Sequence, residues 1–311
     1  MLPKPPPRES SPGFLYIPPY RIQGISIAGE TTVIQIPELD VCFDMGECPR
    51  MALASRWVAI SHGHMDHIGG LAYYCSQRRF QGMGTGKIVC DARIAGPINR
   101  MMAGFVDLEQ QRTPYELITL EPEQQIEVKP NIHLRGFETE HTSPSFGYAL
   151  VEKRSKLKPE LVNLPQEKLK ELKDRGQEIT RSLEIPLVAY LGDTAPGAHL
   201  VRNDVRKAEI VLCECTFFEP EHTERAKIGM HMHVNDIAEW LRVLECKALI
   251  LTHISRRTHL GFAREQLTKL IGPEKIQKVF LLMDNKFNRD RYERQEIDAG
   301  MPPRTPAPAK S

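Results

Sequence analysis

Between positions 61 and 67 the chain reads Ser-His-Gly-His-Met-Asp-His, crowding three imidazoles and one carboxylate into positions 62 to 67. Imidazole and carboxylate are ligand types that suit zinc. If the segment starts extended, His62 and His64 point the same way, because side chains two apart share a face. As the chain then turns into a helix, Asp66 and His67 can face a second ion, so the spacing suits two metals better than one. Against this stands a surface histidine cluster or a purification tag, but a tag lies at a terminus and lacks the aspartate.

Something must hold that loop in place. It follows the hydrophobic run WVAIS (57–61) and precedes GGLAYYCSQRR, where Leu71, Tyr74 and Cys75 have helical spacing; the motif therefore sits where a strand hands over to a helix. Other β-like runs occupy 25–28, 32–36, 41–45, 132–139, 146–152, 186–193, 209–214, 248–253 and 278–282. Helices are predicted near 92–104, 166–175, 234–245 and 262–270. Strands interleaved with helices imply an α/β architecture in which helices cover sheets. No repeat of fixed period occurs, although two halves of similar content are compatible with a duplicated layout. Three further candidates fall at strand ends: His141 in TEHTSPSFGY, Asp193 in YLGDT and His253 in LILTHIS. Singly, each histidine is more often a hydrogen-bonded residue than a ligand; their joint order reverses that reading.

Composition bounds the rest. The 311 residues can bury a core, and 41 Lys plus Arg against 40 Asp plus Glu give no global pull toward nucleic acid or membrane. Seven scattered cysteines argue against a disulfide framework and for a reducing compartment. With neither a signal-peptide pattern nor a run of about 20 apolar residues, the expected location is cytoplasmic, with no membrane partner. Residues 1–20 are proline-rich and expected to be flexible, 21–290 are expected to form the folded domain, 152–185 an insertion within it, and 291–311 a disordered tail.

The ordered set His-x-His-x-Asp-His, a later His, Gly-Asp-Thr and a last His after an apolar strand resembles the metallo-β-lactamase superfamily. The resemblance implies that superfamily's αββα sandwich, two central mixed sheets flanked by helices, with Asp44 of CFDMG supporting the metal site from a strand end. FDMGECP, ISHGHMDHIGG, HTSPSFGY, LGDT, CECTF and HMHVNDIAEW followed by LILTHISRR narrow it to ribonuclease Z, the tRNA 3′-processing endonuclease, in its short plant-like form. This implies two zinc ions per chain, one on His62, His64 and His141, the other on Asp66, His67 and His253, with Asp193 between them. Manganese or iron can occupy similar sites. Two ions about 3.5–4 Å apart can share a hydroxide nucleophile and stabilise both attacking and leaving oxygens of a phosphodiester.

By the same resemblance Asp66 also orients or deprotonates the attacking water, and Glu214 with His231 donates a proton to the leaving oxygen. His233, two residues on, leaves that assignment open by one step. Ser255 and Arg257 resemble a phosphate-binding Ser-x-Arg. Thr258 stands where the family commonly has tyrosine, and Arg256 has no assigned role. The basic run Lys153, Arg154, Lys156 and Lys158 is expected to meet the tRNA backbone as a reduced counterpart of a longer arm. Precursor tRNA is the implied substrate and a homodimer the implied assembly. The alternatives are a hydrolase of a small molecule such as a cyclic nucleotide, lactone or thioester, and a non-catalytic RNA-binding protein on the same fold.

Overall fold

A computed structural model describes residues 11–301. The first half of the chain forms β1 (Gly13–Ile17), β2 (Tyr20–Ile27), β3 (Thr31–Ile36), β4 (Val41–Phe43), β5 (Trp57–Ala59), β6 (Gly86–Asp91) and β7 (Tyr115–Leu120), with helices α1 (Met65–Ile68), α2 (Leu71–Phe80) and α3 (Ala92–Glu109). The second half forms β8 (Gln125–Lys129), β9 (Ile132–Glu138), β10 (Phe146–Leu157), β11 (Thr180–Tyr190), β12 (Ile210–Glu214), β13 (Ala248–Thr252) and β14 (Val279–Leu281). Its helices are α4 (Gln166–Asp174), α5 (Asn203–Arg206), α6 (Thr223–Gly229), α7 (Val234–Trp240), α8 (Leu260–Lys275) and α9 (Asn285–Asp298).

Each half makes one seven-stranded sheet, in the order β1 to β7 and β14 to β8. In both, the first four strands pair antiparallel and the fourth to seventh pair parallel. The inner parallel strands are deeply buried: all five residues of β13, ALILT, are buried, as expected for a strand covered on both faces. Between the sheets Ile22, Ile34 and Phe43 pack in one core with Tyr148, Leu150, Tyr190 and Leu212. Outside the first sheet, Leu71 and Tyr74 of α2 and Ile94 and Ile98 of α3 join Val58 and Ile88. Outside the second, Ile237 and Trp240 of α7 and Leu267 of α8 join Val211 and Leu249. The result is the expected four-layered αββα sandwich.

Two boundaries differ from the sequence expectation. Residues 13–20, assigned to a flexible segment, build β1 and the start of β2. The prolines at 18 and 19 fill the turn between strands, where no ladder N–H is needed, and Leu15 and Ile17 face the core. Beyond residue 290, assigned to a disordered tail, α9 continues to Asp298. Its charged sequence gives no helical stripe, but the Asp284 side chain caps it, Tyr292 packs edge-on against Phe14 at 5.2 Å, and Arg291 bonds the Tyr16 carbonyl. Positions 1–10 and 302–311 lie outside the described residues.

Within 152–185, β10 and β11 run on as a paired ribbon as far as Leu157 and Thr180, joined through α4. Burial gives way to exposure along the way. The ribbon leaves the sandwich at the end opposite Phe146 and Tyr190, the strand ends nearest the histidine loop.

Candidate metal centre and active site

The histidine loop begins one residue after β5. Its entry is fixed by Asp44, at the end of β4 in the left-handed region (φ 57°), a conformation that costs a non-glycine residue energy and recurs at functional sites. Asp44 Oδ1 accepts from Ser61 N at 2.6 Å, and Oδ2 from Ser61 Oγ at 2.8 Å and His67 Nδ1 at 2.7 Å. His64 then caps α1, whose single turn carries Asp66 and His67. Asp66 Oδ2 is held by the Gly29 N–H of the β2–β3 turn at 3.0 Å.

Opposite, the second half delivers its side chains one per connection. His141 leaves the β9–β10 loop. Asp193 follows β11 through Gly192 (φ 62°), where a Cβ would lie 2.7 Å from that of Ser61, so the close approach of the two halves requires glycine. His253 follows β13, itself at φ 53°. These meet the loop as two sets, His62 with His64 and His141, and Asp66 with His67 and His253, the donor atoms of each set within 4.8 Å of one another. Asp193 lies between them. Its Oδ2 is 3.3 Å from His67 Nε2 and 3.2 Å from His253 Nε2, and it also groups with His62.

Hydrogen bonds fix which nitrogen of each ring remains for a cation. His67 Nδ1–H donates to Asp44, His253 Nδ1–H to Thr216 Oγ1 at 3.0 Å, His141 Nδ1–H to the Met230 carbonyl at 3.2 Å, and His62 Nδ1–H to Ser61 Oγ at 2.9 Å. Both hydroxyls can accept because each gives its own proton to a carboxylate, Ser61 to Asp44 and Thr216 to Glu214 at 2.7 Å. Four Nε2 atoms are therefore left facing the ligand cluster, and those of His62 and His67 are buried without a hydrogen bond among the described residues. His64 turns its Nδ1 toward His141 Nε2 at 3.3 Å. Buried acceptors facing acceptors are costly unless a cation lies between them, and second-layer hydrogen bonds of this kind orient histidines for metals. The residues fit divalent ions.

Glu214, fully buried at the end of β12, accepts from Thr194 N at 2.8 Å and from His231 Nδ1 at 2.6 Å. Burial disfavours the charged imidazole, but the charge of Glu214 and this hydrogen bond outweigh it, pushing the His231 pKa up to about 9. The ring stacks beside His253 at 5.4 Å and lies 5.2 Å from that of His141, placing a proton donor at the rim of the ligand cluster. His233 is elsewhere engaged: it caps α7, its Nδ1 accepting from Asn235 N and its Nε2 donating to the Glu219 carbonyl at 3.0 Å. Of the two histidines left open by the sequence, His231 is the one on Glu214.

Beyond His253 the chain turns, with Thr258 N bonded to the Ser255 carbonyl at 2.9 Å. Arg257 is exposed and pairs with no carboxylate among the described residues, whereas Arg256 is tied to Glu30 through its Nε at 2.6 Å. Thr258 points inward, 7% exposed, and offers no surface for stacking. Lys153, Arg154, Lys156 and Lys158 are not brought to the ligand cluster. They sit on the outer ribbon, seven to twelve residues past Phe146 or roughly 20–40 Å along an extended strand. Arg154 is paired with Glu152 at 2.6 Å and Lys158 lies 3.9 Å from Glu178.

Sequence reasoning missed Tyr190, Ser61, Thr194 and Thr216 as partners of the site. Thr216 was within reach, because a residue two past Glu214 shares its face. Tyr190 read as strand core, which it also is.

Comparison with known proteins agrees with this geometry. Residues 50–254 match the Beta-lactamase superfamily domain. The chain is 34% identical over 276 residues to tRNase Z TRZ2, chloroplastic, of Arabidopsis thaliana, covering 88% of this chain and 77% of that one. It is 32% identical over 257 residues to tRNase Z TRZ1 of the same plant, covering 82% and 92%. Among solved structures it superposes on the metallo-β-lactamase fold protein YhfI from Bacillus subtilis (TM-score 0.56, 15% identity, 85% and 96% covered) and on human tRNase Z, short form (TM-score 0.51, 17% identity, 88% and 95% covered). Fold and site thus define a metal-dependent hydrolase of the metallo-β-lactamase superfamily. Within that superfamily the chain belongs to the tRNase Z, or ribonuclease Z, family.

Proposed function

We propose that this enzyme cuts precursor tRNA at its 3′ end, hydrolysing one phosphodiester so that the tRNA keeps a 3′-hydroxyl and the trailer leaves with a 5′-phosphate. The Glu214–His231 pair, 2.6 Å apart and facing the ligand cluster, carries this reading. A ribose oxygen is a poor leaving group and needs a proton as the P–O bond breaks, a demand that the thiolate of a thioester does not make. His231 gives that proton to the 3′-oxygen, and buried Glu214 keeps the imidazole charged and aimed. Asp66, steadied by Gly29, orients the attacking water. Arg257 and Ser255 would bind phosphate oxygens.

His62, His64 and His141 would hold one zinc ion and Asp66, His67 and His253 the other, with Asp193 touching both. Bound there, the pair would supply Lewis-acid activation of water and neutralisation of phosphate charge. The basic run on the β10–β11 ribbon would meet the body of the substrate, far from the scissile bond. A second copy of the chain is the expected partner, checked by molar mass in solution. No described helix is long and apolar enough to cross a membrane. Seven free cysteines, six of them buried, favour a reducing compartment such as the cytoplasm.

The test is to incubate the purified protein with precursor tRNA bearing a 3′ trailer and to map both new ends. Cleavage near the discriminator nucleotide, with a 3′-hydroxyl on the tRNA, is expected. An intact precursor beside rapid lactone or cyclic phosphate hydrolysis would overturn the proposal.

A further inference from the structure

Tyr190, the last residue of β11, is fully enclosed in the core between the sheets, where its ring stacks on Phe43 with centroids 4.7 Å apart. A phenylalanine would make the same contact. The hydroxyl does something else: it donates to Asp44 Oδ2 at 2.5 Å, across the seam between the halves. That oxygen already accepts from Ser61 Oγ and His67 Nδ1, so the phenol is its third donor and the only one of the three from the second half. Three residues further along, Asp193 Oδ2 approaches the other nitrogen of the same ring, His67 Nε2, at 3.3 Å. One strand end thus governs both nitrogens of one imidazole, through Asp44 on one side and directly on the other.

We propose that Tyr190 is a positioning residue for the metal centre, its hydroxyl locking the Asp44 carboxylate so that His67 Nε2 faces the ion shared with Asp66 and His253. A buried phenol does need some partner, and its hydrogen bond could serve only that need. The spacing argues for more. Tyr190 and Asp193 leave the same strand, so a shift of β11 against the first sheet would move both contacts to His67 together. The lock therefore joins the Phe146 N–H to Ser61 carbonyl bond and the Tyr148 hydroxyl to Ile60 carbonyl bond in setting the separation of the two halves where their ligands meet. Ser61 ties Asp44 only to its own half. Without the phenol nothing from β11 would hold the carboxylate, and the set His62, His64 and His141, whose His62 reaches Asp44 only at one remove through the Ser61 hydroxyl, would be disturbed less.

The inference rests on the two-ion reading, and the experiment separates their failures. Zinc affinity and stoichiometry are measured by chelator competition for the full chain, for Tyr190→Phe, for Asp44→Asn and for the double variant, with melting temperature recorded alongside. The unaltered chain should bind two ions. Tyr190→Phe should keep the packing on Phe43 and hold one ion as before, while the other weakens roughly 10- to 100-fold, as loss of outer hydrogen bonds to metal-binding histidines does. If Tyr190 acts through Asp44, the double variant should bind no more weakly than Asp44→Asn alone. Failure of the unaltered chain to bind two ions would sink the two-ion reading itself. Two ions bound normally by Tyr190→Phe, or losses that simply add in the double variant, would overturn the role given to Tyr190. So would equal weakening of both ions in step with a lowered melting temperature.

Discussion

The two halves of the molecule have one layout, four strands antiparallel and then a parallel run, yet they furnish the site in different ways. The first half places His62, His64, Asp66 and His67 on a single loop and braces it with one carboxylate, Asp44. The second contributes His141, Asp193 and His253, each from its own connection, and Glu214 and His231 from the end of β12 and the crossover that follows it. The difference divides the chemistry. On the proposed mechanism water would be oriented on the side of the compact loop, through Asp66, while the proton for the departing oxygen would come from the opposite side, through His231. A duplicated architecture supports the two ends of one displacement with unequal means.

The largest effect should follow from breaking the first half. Asp66→Ala would remove a proposed metal donor and the proposed water-orienting group, so cleavage of precursor tRNA should fall by roughly 10³-fold or more while far-ultraviolet circular dichroism stays native. Near-normal turnover in that variant would refute the assignment of the loop. Breaking the second half is milder: His231→Ala should lower kcat by about 10²- to 10⁴-fold, the usual worth of a general acid, with zinc content retained. Loss of zinc in step with activity would instead mark His231 as a ligand.

Why the two halves differ in legibility follows from the same contrast. Positions 62 to 67 could be read as a two-metal motif because local backbone geometry alone sets their relation. His141, Asp193 and His253 are single residues at strand ends, and only their order, matched to a family, joined them; their meeting depends on sheet register and on Gly192. Nor could the sequence choose between His231 and His233, since both follow a methionine in one short run. The choice came from tertiary hydrogen bonds to Glu214 and to Glu219. In the fold, strongly apolar β12 and β13 were found with boundaries close to the observed ones, and α3 with its start at residue 92 though it runs five residues past the expected end. Strands β6, β7 and β8 were missed, the last two because their mostly half-exposed residues blur the alternation, and α9 because its stability comes from packing on β1 rather than from a stripe.

Two smaller effects would sharpen the comparison. Glu214→Gln leaves the His231 ring in place but removes the charge that supports its proton, so kcat should drop roughly 10- to 100-fold. A drop as large as that of Asp66→Ala would show that Glu214 does more than assist the acid. Smallest is the ribbon, which belongs to neither chemical role. Replacing Lys153, Arg154, Lys156 and Lys158 by alanine should weaken RNA binding a few-fold and flatten its salt dependence, with kcat unaltered at saturation. Affinity and salt slope identical to those of the unaltered protein would remove the run from the binding surface.

The division of labour itself is tested by changing the leaving group. Bis(p-nitrophenyl) phosphate releases a stable phenolate that needs no proton, so its hydrolysis bypasses the second half's acid while still requiring the first half. Rates for the unaltered protein, Asp66→Ala and His231→Ala should be measured on this ester and on precursor tRNA. We expect Asp66→Ala to lose both activities and His231→Ala to lose tRNA cleavage while keeping the ester rate within about 10-fold, as expected when a general acid is no longer needed. Equal losses of His231→Ala on both substrates would contradict the account.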